Sequence, residues 1–246
     1  MIKIDCPDPS AKVARLLQRR KTRGTKWTSR HPHRVKVDRE INDTLQEAFH
    51  GKCGYCESIE AETIDHFWPQ APHSEQVWEW HNYIWCCDPC QRRKGDSSPM
   101  SREGHLMINP REDEPLWLLR IETNTGQLVA IPTSKEMYER GAYTISLLDL
   151  DRRPDLDEQR RLMYQRILDL VVQIVDPDSS PSRVEHAWQR LQEELHPRRP
   201  YLAIIQQFFT YPSSEIEPLV QQLYYVKPEA RDFLAPFRRP TVPQEV

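Results

Sequence analysis

The sequence predicts an α+β fold, mostly helical, arranged around a small cysteine-rich core. Three observations lead there. Two Cys-x-x-Cys pairs, Cys53/Cys56 and Cys87/Cys90, bracket one stretch of chain. Apolar residues after Pro154 recur at helical spacing. Between these regions, LWLLRIETNTGQLVAIP reads as two strands joined by a turn at Asn124, Thr125 and Gly126.

At 246 residues the chain can bury a substantial core, and 29% charged against 38% hydrophobic residues fits a globular protein. Seven Gly against twenty-one Pro predict few flexible linkers and many rigid turns. No apolar run approaches the roughly eighteen residues needed to span a bilayer. The opening MIKIDCPDPS lacks a basic stretch followed by an apolar one. A cytoplasmic location without membrane contact is the expectation, and six cysteines are then read as reduced, metal-bound or buried.

The elements follow in order. Residues 9–22 predict a helix with Val13, Leu16 and Leu17 on one stripe; 23–36 read as irregular around His31, Pro32 and His33. Residues 37–50 predict a helix through Ile41, Leu45, Ala48 and Phe49, stopped by Gly51. Residues 136–150 begin helical and end in ISLLDL. After Pro154 a long helix carries Leu162, Ile167, Leu170, Val171 and Ile174, and further helices fit 181–195, 200–210 and 215–225. The tail from Pro236 reads as loose. Three regions result: a basic helical segment at 1–50, the cysteine-bracketed core at 51–110, and a β-hairpin with helices at 111–246.

Net charge is −3, which does not mark a general polyanion binder. The charge is uneven, however. Lys12 to Arg39 concentrates Lys and Arg, and Arg19, Arg20 and Lys21 are its candidate phosphate contacts. A solvated face or a docking arm for an acidic partner explains the same run.

Each Cys-x-x-Cys spacing lets two thiolates face one ion, and two such knuckles complete a tetrahedral four-sulfur set. Zn²⁺ held by Cys53, Cys56, Cys87 and Cys90 is the reading. Cys86 offers a competing register, but it extends the apolar run Tyr83-Ile84-Trp85. The knuckles lie further apart than the about 15–20 residues of a simple zinc ribbon. A structured insertion therefore separates them.

That insertion contains Asp65-His66, then Asn82, then Gln91 within Cys-x-x-Cys-Gln-x-x-Lys-Gly. The layout resembles zinc-containing HNH endonucleases. GKCGYCE, IDHFWPQ, Trp80-x-Asn82, MINP at 107–110 and AYTISLLDLDRR at 142–153 resemble the PtuB-like family of Septu and retron-linked anti-phage effectors. The resemblance covers about residues 40–165. It implies a ββα-metal core: strands at Thr63–Phe67 and Tyr83–Trp85, and a helix beginning at Pro89–Lys94. It further implies His66 as general base, Asn82 as the residue orienting the loop and ring, and Asp65 and Gln91 as ligands of a catalytic Mg²⁺ or Mn²⁺. Gln91 stands where the family usually carries His or Asn, one methylene shorter in the case of Asn.

The chemistry is coherent. Imidazole titrates near neutrality and can take a proton from water. Hard carboxylate and amide oxygens suit Mg²⁺. Arg92, Arg93 and Lys94 follow as candidate phosphate contacts. The resemblance also implies an ATPase partner of the PtuA type and leaves room for a homodimer within a larger complex. DNA is the favoured substrate. An RNase acting on tRNA or other RNA, and a zinc-stabilised binding adaptor with a decayed site, are the alternatives. Five of the seven tryptophans, Trp68, Trp78, Trp80, Trp85 and Trp117, read as packing around a small metal domain rather than as base-stacking platforms.

Overall fold

A computed structural model of the chain describes residues 1–27 and 36–235. The expectations for His31, Pro32, His33 and the tail from Pro236 fall outside the described residues. Those residues form a mixed α and β structure in which helices dominate and two sheets have two strands each. The chain divides into two compact units, residues 1–118 with 130–150, and residues 119–129 with 151–246.

The first unit carries the cysteines. Its first helix, α1 (Ala11–Thr22), starts at Ser10, whose hydroxyl accepts from the Val13 amide, and buries Val13 and Leu17. Helix α2 (Lys36–Ala48) buries Ile41 and Leu45, and Phe49 follows them into the core. Strands β1 (Ala61–His66) and β2 (Tyr83–Cys87) pair antiparallel, with His66 opposite Tyr83, Asp65 opposite Ile84 and Ala61 opposite Cys87. A register irregularity lies between Ala61 and Thr63. Strand β2 is buried along its whole length, as its continuous apolar run requires. Helix α3 (Asp88–Lys94) follows directly: Cys87 is still extended, Pro89 sits in the first turn, and Gly95 ends the helix with a positive φ.

The MINP segment underpins this hairpin. The Ile108 amide donates to the Thr144 hydroxyl at 2.8 Å, and Thr144 lies in helix α4 (Lys135–Leu148). Two stretches singled out by resemblance are thus bonded to each other. The N-terminal segment belongs to the same unit: the Ile4 amide donates to the Pro110 carbonyl, and the Trp80 indole donates to that of Pro7.

The second unit begins with the short strand β3 (Leu119–Ile121), which pairs with β4 (Leu128–Ala130). Gln207 acts as a surrogate strand for β3, accepting from the Ile121 amide and donating to its carbonyl. Helix α5 (Pro154–Val175) packs against α6 (Pro181–Glu194), α7 (Leu202–Thr210) and α8 (Glu217–Val226); a short α9 (Ala230–Phe233) follows. The buried stripe of α5 is Leu156, Arg160, Met163, Ile167, Val171 and Ile174. Leu162, expected on that stripe, is exposed. It is one residue out of phase with Met163, and the Arg160 position is filled by a buried cation paired with Asp157 at 3.1 Å. Among the described residues no helix is long and apolar enough to cross a membrane.

Candidate metal centre and hydrolytic site

Cys53, Cys56, Cys87 and Cys90 are all buried, and their sulfurs lie within 4.8 Å of one another. A tetrahedral Zn²⁺ with bonds of about 2.3 Å sets its sulfurs about 3.8 Å apart, and the Cys56 and Cys87 sulfurs are 3.7 Å apart. The residues therefore fit the ion. The reason is local. The first knuckle turns so tightly that the Glu57 amide donates back to the Cys53 carbonyl, and the Gly54 amide donates to the Trp85 carbonyl on β2. A Cβ at Gly54 would sit 2.7 Å from the Phe49 ring, so only glycine fits beneath the knuckle. The second knuckle straddles the junction of β2 and α3. Cys86 points elsewhere: its sulfur lies 3.3 Å from the Thr63 hydroxyl. Burial pushes the Cys53 thiol up, whereas hydrogen bonding, foremost with Cys53, holds Cys87 down to about 7. Four crowded thiols cannot all ionise without a cation among them.

Across the hairpin from the cysteines, Asp65 is buried. Its Oδ2 accepts from the Tyr55 hydroxyl at 2.6 Å and lies 3.0 Å from the Lys94 ammonium; Oδ1 accepts from Lys94 at 3.3 Å. Burial pushes its carboxyl above the usual value, opposed by Lys94 and the Tyr55 hydroxyl. Lys94 also donates to the His66 carbonyl at 2.6 Å and is fully buried. This corrects the expectation that Lys94 is a phosphate contact. Helical spacing puts it one turn after Gln91, on the face packed against β1, while Arg92 and Arg93 point outward. Those two are paired, Arg92 with Asp88 at 2.8 Å and Arg93 with Asp149 at 3.0 Å. Gln91 donates from its amide nitrogen to the Ile64 carbonyl at 3.0 Å, leaving Oε1 as the atom with ligand character.

Removing the Lys94 charge strands Asp65 in the interior. Lys94→Met should lower stability by about 3–5 kcal/mol, the cost of an unpaired buried charge, and adding Asp65→Asn should restore much of it. Denaturant unfolding of the three chains checks this; a loss below about 1 kcal/mol for the single variant would show that the pair is solvated.

His66 ends β1 and is 4% exposed. Its Nε2 lies 3.1 Å from the Val77 carbonyl, and its Nδ1 lies 3.3 Å from the Gln70 amide nitrogen. A carbonyl accepts only, so Nε2 carries the proton and Nδ1 keeps its lone pair. Asn82 makes no hydrogen bond to this ring. It cross-links the loop instead: its Oδ1 accepts from the Trp68 amide at 2.7 Å, and its Nδ2 donates to the Trp68 and Gln76 carbonyls. That loop brings Gln70 and Val77 to the ring, so Asn82 acts on His66 only through the loop it cross-links. It sits in a tight helical turn before β2, with His81 exposed beside Asp8.

Burial, with Lys94 adding to it, lowers the His66 pKa to about 4, against the opposing Val77 hydrogen bond. The folded protein thus prefers neutral imidazole, while the unfolded chain takes up a proton near 6.5. Between these values the unfolded state binds more protons, so acid destabilises the fold. Stability should fall on the order of 2–3 kcal/mol as pH drops from about 6.5 to about 4. A His66→Gln chain should show a shallower slope over that window; equal slopes in pH-dependent melting would assign the effect to other groups.

The basic arm is partly turned inward. The Arg20 guanidinium lies over the Trp78 ring at 4.9 Å, and Lys21 pairs with Glu79. Arg19 is exposed. Tyr55, Gln70, Trp27 and the Val77 carbonyl went unread in the sequence. Tyr55 alone had a signal, its place inside the first knuckle.

A β-hairpin and a short helix, joined by four clustered cysteines and carrying a buried histidine at the first strand's end, form a ββα module within a larger, mostly helical chain. No protein-family model matches the chain. Over 257 aligned residues it is 29% identical to Septu protein PtuB of Bacillus mycoides (strain KBAB4), covering 83% of this chain and 84% of that protein. The chain is thus similar to a Septu PtuB protein over most of the length of both.

Proposed function

We propose that the chain is an HNH endonuclease that hydrolyses phosphodiester bonds, DNA before RNA, as the effector of an anti-phage system. One observation carries the reading: the Val77 carbonyl accepts a hydrogen bond from His66 Nε2–H, which leaves Nδ1 as a proton acceptor at the tip of a cysteine-clamped hairpin. Nδ1 then draws a proton from the attacking water. Gln70 holds the ring from the same side and must yield its hydrogen bond to that water. Asn82 fixes the loop that sets both partners. Asp65 Oδ1, the more lightly held oxygen, and Gln91 Oε1 would hold Mg²⁺ or Mn²⁺; when bound, the ion supplies charge stabilisation to the phosphate and the leaving oxygen. Arg92 and Arg93 are exposed enough to exchange their carboxylates for phosphate, and Arg19 adds to that surface. The similarity to a Septu PtuB protein supports the defence role; the ATPase partner of the PtuA type rests on the sequence resemblance alone.

A second reading has an observation of its own. The Lys94 ammonium already satisfies the charge of Asp65, which favours a zinc-stabilised nucleic-acid-binding adaptor without a catalytic ion. Incubation of the chain with its ATPase partner, duplex DNA or RNA, and Mg²⁺ or Mn²⁺ separates the two. Cleavage abolished by chelation and restored by either ion supports the nuclease. Binding without cleavage under every ion favours the adaptor.

A further inference from the structure

A base that acts on a polymer must be reached by the polymer, yet His66 is almost wholly enclosed. Two aromatic rings meet its imidazole nearly at right angles. Tyr83, on the neighbouring strand, lies 5.2 Å away and is itself fully buried. Trp27 lies 4.6 Å away and is only half-buried, so it forms the layer between the imidazole and solvent. Trp27 comes from the segment that follows α1, distant in sequence from the hairpin.

That segment, together with the last turn of α1 that carries Arg20 and Lys21, is fastened to the stretch beside the Val77 carbonyl. The Trp78 indole donates to the Thr25 carbonyl at 2.8 Å. The Arg20 guanidinium lies over the Trp78 ring, and Lys21 pairs with Glu79. Trp27 itself packs 5.0 Å from Trp78. The fastening is of the kind that opens readily: one hydrogen bond, one cation–π contact and one half-exposed ion pair. Packing of Trp27 adds to these.

We propose that residues Arg20–Trp27 form an autoinhibitory cover over His66, which must lift before a phosphodiester and its attacking water reach Nδ1. The inhibitory consequence rests on the reading of His66 as the base; the cover does not. It also accounts for part of the basic arm: Arg20 and Lys21 hold the cover shut rather than standing free for phosphate.

Acylation by diethyl pyrocarbonate, followed by peptide mass spectrometry, reads the cover without reference to cleavage. Exposed His81 is the internal standard within the same chain. In the wild-type protein His66 should react at least about tenfold more slowly than His81, as for a group reached through local opening. Trp27→Ala should raise the His66 rate about tenfold. Lys21→Glu leaves the tryptophan in place and sets like charges against each other at Glu79. It should raise the rate about two- to fivefold, the range of a surface ion pair, and adding Glu79→Lys should restore protection. Zinc content and melting temperature show that each variant is folded.

Nuclease assays on the same proteins should show faster cleavage in Trp27→Ala and Lys21→Glu. Unmasking of His66 with no cleavage in any variant would keep the cover and reject the nuclease reading. Reaction of wild-type His66 as fast as His81 would overturn the cover. So would unchanged protection in folded Trp27→Ala and Lys21→Glu.

Discussion

Cys53→Ser or Cys90→Ser should cost the chain both its metal and its fold. The hairpin and α3 enclose a small volume, and the sheet beneath them has two strands of six and five residues. A hairpin of that size is marginal in water. The four sulfurs join the approach to β1, the end of β2 and the first turn of α3 into one closed loop. Apparent Zn²⁺ binding energies of about 10–16 kcal/mol in small structural sites become folding energy. Loss of one thiolate should therefore lower metal content from about one Zn²⁺ per chain towards zero and remove the cooperative melting of the first unit. Cys86→Ser is the control. Cys86 lies off the cluster, and its substitution should keep the zinc. Inductively coupled plasma mass spectrometry with calorimetry measures both quantities. Unchanged melting of a metal-free Cys90→Ser chain would remove the metal from the account of folding.

Much of this unit was legible because its signals are local. Two knuckles name their own ligands, and the strands and the helix start were expected from the resemblance to HNH endonucleases. The structure places β1 at 61–66, β2 at 83–87 and α3 at 88–94, close to the expected strands and helix start. The register choice of Cys87 over Cys86 also followed from pattern, since Cys86 continues the buried strand.

What escaped is what depends on residues far apart in sequence. Nothing in the spacing brings Trp27 to His66 or Gln207 to Ile121. The Val77 contact uses a backbone carbonyl, which every residue carries, so composition is silent about it. The Lys94 error has a different cause. Arg92, Arg93 and Lys94 look alike as a charge run, but a helix turns 100° per residue and cannot expose three in succession with Gln91 facing inward. The same period that located α5 would have turned Lys94 towards Asp65.

The second large effect belongs to His66, and it bears most directly on the proposed activity. Alanine there removes the imidazole that the Val77 and Gln70 contacts hold, while leaving the cysteine cluster and the outward arginines in place. Rate should fall about 10²–10⁴-fold, as for loss of a general base. Affinity for nucleic acid should stay within a few-fold, because the proposed phosphate contacts lie on other residues. His66→Ala also deletes ring contacts with Trp27 and Tyr83, so zinc content and melting temperature must accompany the rates. The decisive measurement is single-turnover cleavage of duplex DNA with Mg²⁺ or Mn²⁺ and the proposed ATPase partner present, wild type against zinc-loaded, folded His66→Ala. A drop of at least about a hundredfold at similar affinity is the predicted result. Equal rates in the two proteins would contradict the assignment of His66 as the base.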